Sequence, residues 1–243
     1  MILRRVATAI RSQDWFTVVI EFVIVVAGVL FALQVGNWNE VRADRERAQA
    51  YRERMVSDLK NDIVELEKRK LFWSAAAGEG RIALAYAEQG RVPEDVAWGV
   101  LRALLHASQV WRFIFNQATY LEMQSAGDLR LIGDTQLRSN LAYYYVTVAE
   151  RRGDGMYQSL PRYRETVRSL VPSLISQYYW QACHEQPPGE QHLKPCPSPM
   201  DEAEAEAVLE AVIGHPGLIA ELRFWVDTLE VLDRLVIDDI PMS

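Results

Sequence analysis

Residues 15–39 read WFTVVIEFVIVVAGVLFALQVGNWN, and Glu21 is the only charge between Asp14 and Glu40. At 1.5 Å per residue, positions 15–36 cover about 33 Å, the thickness of a bilayer's hydrocarbon slab. Trp15 and Trp38 then fall at the two membrane boundaries, where an aromatic belt belongs. A cleavable signal peptide would have a shorter apolar region followed by a small-residue site, and Val35-Gly36-Asn37-Trp38-Asn39 offers no such pattern. Val and Ile crowd every side of the segment, which leaves it no wide solvated face. The stretch therefore reads as an uncleaved transmembrane helix over 15–38.

Downstream, NEVRADRERAQAYRERMVSDLKNDIVELEKRKLFW (39–73) contains neither Gly nor Pro and is dense in strong helix formers. Val56, Leu59, Ile63, Leu66 and Trp73 recur at helical spacing, so the span is expected to continue as a long helical stalk to about residue 73. Beyond it, helical patterns alternate with punctuation. Gly90 and Pro93 separate helices near 75–89 and 94–109, and Gly127 closes one near 115–126. Asp134 reads as an N-cap for a helix carrying Leu137, Leu141, Tyr144, Tyr145 and Val148. A long helix is expected over 157–182, bent or divided by Pro172. An acidic helix from Asp201 to about Ile213 and a last one from Pro216 complete the series.

No stretch alternates strictly with β-branched enrichment, so almost no sheet is expected. The fold class is all-α: one N-terminal transmembrane helix continuing into a long helix, followed by an irregular extramembrane helical bundle. The expected divisions are a short cytoplasmic tail (1–14), the span (15–38), the stalk (39–73) and a helical periplasmic domain (74–243). That domain carries a Cys-bracketed, Pro-rich loop at 183–200.

The whole chain agrees with a single span. Its 243 residues are 49% hydrophobic and 24% charged, which excludes disorder, and a mean hydropathy of −0.10 excludes a polytopic membrane protein. A net charge of −7 argues against a nucleic-acid surface, which needs a basic stripe.

The flanks of the span are close to a tie in Lys and Arg, with Arg4, Arg5 and Arg11 before it and Arg42, Arg45, Arg47, Arg52 and Arg54 after it. The two cysteines break the tie. Cys183 and Cys196 bracket CHEQPPGEQHLKPC, and a bridge closing about 14 residues contributes roughly 3 kcal/mol. Such a bridge persists in an oxidising compartment, so the expected location is a bacterial inner membrane with the N-terminus cytoplasmic and the body periplasmic. Zinc held by Cys183, His184, His192 and Cys196 is the less favoured reading, because the spacing matches no compact site.

Counting 100° per residue from Glu21, Thr17, Gly28, Ala32 and Gly36 fall within about 60° of it and form one stripe. Small residues four apart admit a neighbouring helix, and a carboxylate inside the apolar region normally faces a partner. This stripe is the candidate transmembrane interface. Tyr143, Tyr144, Tyr145, Tyr178, Tyr179 and Trp180 place rings on several sides of their helices and are candidates for a protein interface or, equally, for core. No nucleophile elbow, metalloprotease, P-loop or dinucleotide motif occurs. No catalytic residue, metal site, cofactor or small-molecule substrate is predicted. The expected partners are membrane lipid and other transmembrane subunits.

The block LRRV…QDWFTVVIEFVIVVAGVLFALQVGNWNE and the segment ATYLEMQSAGDLRLIGDTQLRSNLAYYY (118–145) together resemble an uncharacterised family of bacterial single-pass membrane proteins. Gln34, Asn37, Trp38 and Asn39 match a QxxNWN-type motif that ends the span. Tyr120, Gly127, Leu129, Leu131 and Ile132 match a second motif in the helical domain. The resemblance covers 1–60 and 112–150; it implies this topology and fold and carries no activity. The insert at 183–200 looks particular to this chain.

The function expected is that of a non-enzymatic accessory or scaffold subunit. It would stabilise a larger inner-membrane complex, such as a photosynthetic or respiratory assembly. The alternative is a membrane-anchored periplasmic module that senses or binds a ligand.

Overall fold

A computed structural model describes residues 15–90, 96–148, 160–187 and 190–238. The expected tail at 1–14 lies outside them. The first helix, α1, runs without interruption from Trp15 to Gln89. The expected boundary near residue 73 is absent, and the helix predicted over 75–89 is the end of the same rod. Ala75, Ala76, Ala77 and Ala83 are strong helix formers, and no Pro interrupts them. The 75 residues of α1 span about 110 Å.

Seven further helices follow among the described residues: α2 (Val96–Ala107), α3 (Ala118–Ala126), α4 (Thr135–Ala142), α5 (Arg162–Leu170), α6 (Ser173–Tyr178), α7 (Glu202–Ile213) and α8 (Leu218–Asp238). A 3₁₀ turn (Asp128–Leu131) joins α3 to α4. Both α4 and α6 widen into π-helical turns, at Tyr143–Val148 and Tyr179–Cys183. Strands β1 (His184–Glu185) and β2 (His192–Leu193) form one short antiparallel hairpin. The rest of the described chain is helix and connection.

Most of the punctuation acts as the sequence predicts. Gly127 adopts φ +72°, the left-handed conformation that closes a helix. Asp134 caps α4 by accepting the N–H groups of Gln136 and Leu137 at 2.7 and 3.1 Å. Asp201 likewise accepts from Glu204 at the start of α7. Pro172 forces Val171 into an extended conformation, so the long helix expected over 157–182 is divided into α5 and α6. Residues 157–159 of that expectation lie outside the described chain. The last helix begins two residues later than expected, at Leu218, because Gly217 has φ +89°.

The bundle has two cores, and α1 contributes to both. The larger packs Phe72, Trp73, Ala76, Ala77 and Ala83 of α1 against α2, α5, α6, α7 and α8. Its centre is α2, buried on nearly every side as its apolar sequence requires, with Arg102 and His106 its only ionisable side chains. Three of the indole N–H groups buried there are satisfied by backbone carbonyls: Trp73 donates to Trp111 O, Trp98 to Cys196 O and Trp225 to Ala107 O. The smaller core packs Tyr51 and Met55 of α1 against Tyr120 and Met123 of α3 and against Leu141, Tyr144 and Tyr145. Its position lies nearer the apolar end of the rod.

Candidate functional site

Twelve large apolar side chains between Val19 and Val35 are exposed, including Phe22 at 68% and Phe31 at 75%. No other part of the described chain covers them. At about 1.5–3 kcal/mol per fully buried side chain, leaving them in water would cost on the order of 20 kcal/mol, more than the entire stability of a typical domain. Something outside the described residues must cover this segment, and α1 is long and apolar enough there to cross a membrane. Trp38 stands at its end, 63% exposed. Trp15 and Thr17 lie in α1, and their side chains lie outside the described structure.

Glycines in the segment serve no purpose internal to the fold. A Cβ added at Gly28 or Gly36 would meet nothing within 4 Å. Each glycine costs a helix about 1 kcal/mol relative to Ala, so the local conformation gives no reason for them. Together with Glu21 and Ala32 they make an open stripe of low relief.

Because α1 is unbroken, the direction of that stripe can be related to the bundle. Counted at about 100° per residue from Glu21, the bundle-facing residues Tyr51, Met55, Asp62, Leu66 and Trp73 fall at about 120–180°. The stripe lies near zero. On the same side of the rod as the stripe lie Glu46, Glu53, Val64, Leu71 and Ala75, all exposed. The bundle therefore hangs from one side of α1 and leaves the stripe side free as far as Val64; beyond it the β1–β2 hairpin loop reaches round to Lys68, which pairs with Glu190 at 2.7 Å.

Polar contacts brace the smaller core to α1. Arg130 donates to Asp44 at 2.8 Å, Tyr51 donates to the buried Asp128 at 3.2 Å, and Arg54 holds Glu122 through two bonds of 2.7 and 2.9 Å. Further along, Asn116 donates its backbone N–H to Asp62 and its side-chain amide to Asp58, both at 2.9 Å. The Tyr144 hydroxyl donates to the second oxygen of Asp62 at 2.9 Å. Burial pushes the Asp62 carboxyl above its ordinary range, and these two bonds act in the opposite direction. Burial also pushes the Tyr144 and Tyr145 hydroxyls upward. The exposed ion pairs add little to stability, but over residues 44–62 they fix the register of rod and bundle.

Between α1 and the α3–α4 segment lies a groove of about 220 Å³, lined among others by Met55, Leu59, Met123, Ile132, Leu137 and Leu141. Nothing in the sequence announces it, since its lining comes from three separated segments.

The aromatic candidates separate into two groups. Tyr144, Tyr145 and Tyr179 are buried, so they belong to the cores and not to a surface. Tyr178 is half-buried, stacked edge-on against Trp98, and donates to Pro197 O. Tyr143 and Trp180 remain exposed, at 55% and 40%. Arg168 lies over the Trp180 ring, 4.9 Å from its centre, and burial lowers that guanidinium to about 10.

Cys183 and Cys196 are bonded to each other, with Cα atoms 5.1 Å apart. Both half-cystines are buried and held by α2, since Trp98 donates to Cys196 O and His106 Nε2 lies 3.2 Å from Cys183 O. The two histidines near the bridge point elsewhere: His184 meets Gln191, and His192 meets Glu190. Among the described residues no group of three or more His, Cys, Asp or Glu is arranged to hold a metal ion.

A family of unknown function (DUF6090) has a model that matches residues 21–74. The chain is similar to that family over this stretch. The match lies wholly within α1, beginning at Glu21 of the stripe and ending just past Trp73 of the larger core. No curated protein and no solved structure matches the chain.

Proposed function

We propose that the chain is a non-enzymatic, single-pass accessory subunit that stabilises a larger protein complex of a bacterial inner membrane. In this reading α1 crosses the lipid and docks on neighbouring spans through Thr17, Glu21, Gly28, Ala32 and Gly36. The braced bundle then stands against the parts of the complex outside the bilayer. One observation carries the reading: a glycine stripe with no role inside the fold lies on the side of α1 opposite the bundle, where a neighbour meets no obstruction. The N-terminus is cytoplasmic and the body periplasmic, a topology supported by the Cys183–Cys196 bridge, which persists where thiols are oxidised.

The test is affinity purification from native membranes in mild detergent, with mass spectrometry of the proteins retained. Glu21→Ala and Gly28→Leu should each release partners that the natural chain retains. The bundle should unfold at an unchanged temperature, since neither side chain touches it. Retention of the same partners by both variants would overturn the docking stripe.

A further inference from the structure

The groove between α1 and the α3–α4 segment has the composition of a ligand site. Met55 and Met123 are buried and flexible, and Leu137 stands 49% exposed at the mouth. Three polar side chains reach the lining: Tyr51, Arg52 and Asp134. Two of these are already committed. The Tyr51 hydroxyl donates to Asp128, and the Asp134 carboxylate accepts two backbone N–H groups at the start of α4, where the helix dipole offsets its charge. Arg52 makes no hydrogen bond or ion pair among the described residues. The polar group left to meet a ligand is therefore a guanidinium at the edge of an apolar slot, which matches a carboxylate.

Size sets the rest of the ligand. A cavity of about 150 Å³ takes benzene, so about 220 Å³ takes roughly nine non-hydrogen atoms. Position sets its source. The lining residues on α1 begin at Ala48, about 15 Å along the rod from Trp38, beyond the reach of an acyl chain that stays in the bilayer.

We propose that this groove binds a free carboxylic acid with an unbranched apolar chain of about eight carbons, its carboxylate paired with Arg52 and its chain lying between Met55 and Met123. This site is independent of the docking stripe, and its failure would leave that reading intact.

The test uses the full chain in lipid nanodiscs, labelled with ¹³C at the methionine methyls, with Met55→Leu and Met123→Leu assigning the two signals. Titration with octanoate should shift the Met55 and Met123 methyls saturably while leaving Met200 unmoved. Arg52→Gln, on an exposed position, should weaken octanoate roughly tenfold and leave 1-octanol unchanged. Absence of a saturable shift at the two methyls would overturn the site. Equal octanoate affinity in Arg52→Gln would overturn the carboxylate assignment. Shifts that follow the chain length of the disc lipid without octanoate would make a bilayer lipid the occupant and also overturn the proposal.

Discussion

His184 is 6% exposed, set edge-on against Trp180, with Nε2 3.4 Å from Gln191 Oε1. Burial first, and then the charges of His106, Arg168 and Arg164, hold its imidazole below the ordinary 6.5, against the upward effect of Gln191. The folded chain consequently binds fewer protons than the unfolded chain just below neutrality. Its contribution to stability is present above pH 6.5 and is lost as the pH falls below that value. Urea unfolding of the chain in nanodiscs should show a midpoint that drops between pH 7 and pH 5, and His184→Gln should flatten that drop. An equally steep profile in the variant would assign the acid sensitivity to another group. No sequence signal distinguishes this histidine from His192, two-thirds of a loop away. The difference is made by Trp180, by His106 of α2 and by the arginines of α5, which only the fold brings near it.

Two glycines of α1 separate helix propensity from packing. A Cβ at Gly78 would meet nothing within 4 Å, whereas a Cβ at Gly80 would run into Val226 of α8. Gly78→Ala should therefore stabilise the bundle by up to about 1 kcal/mol, and Gly80→Leu should destabilise it by about 3 kcal/mol as overpacking forces α1 and α8 apart. Denaturant unfolding of the two variants should shift in opposite directions. Small residues in this stretch also explain why the boundary near 73 was misread: Ala76, Ala77, Gly80 and Ala83 bring α8 close without ending the helix. Signals confined to a few residues were legible, as Asp134, Gly127, Pro172 and Asp201 show, because a cap or a ring constraint acts on its own backbone. The π-helical turns at Tyr143 and Tyr179 were not legible. The same tyrosines can face core or solvent until a partner helix is placed, and only then do Tyr144, Tyr145 and Tyr179 turn inward. The stripe could be read from α1 alone, whereas the groove required α3 and α4 to fold against it.

At the scale of the molecule, one continuous rod couples the rotation of the apolar segment to that of the bundle. Two alanines inserted after Asn39 would rotate the bundle by about 200° relative to the stripe and raise it by about 3 Å, whereas four would rotate it by only about 40° and raise it by about 6 Å. If neighbours contact both parts at once, the two-residue insertion should lose them and the four-residue insertion should retain them, as scored by co-purification. Retention of the same neighbours with both insertions would confine the contact to the apolar segment of α1.

The pairing of α1 with α8 also governs how the chain is made. The bundle-facing surface of α1 around Gly80 is synthesised 146 residues before Val226, its neighbour in α8. At 5–20 residues per second the surface around Gly80 waits roughly 7–30 s for Val226, although α2 follows much sooner on the neighbouring side of the rod. During that interval the strip of α1 that α8 will cover stays open, so the bundle closes only when the last helix has been made.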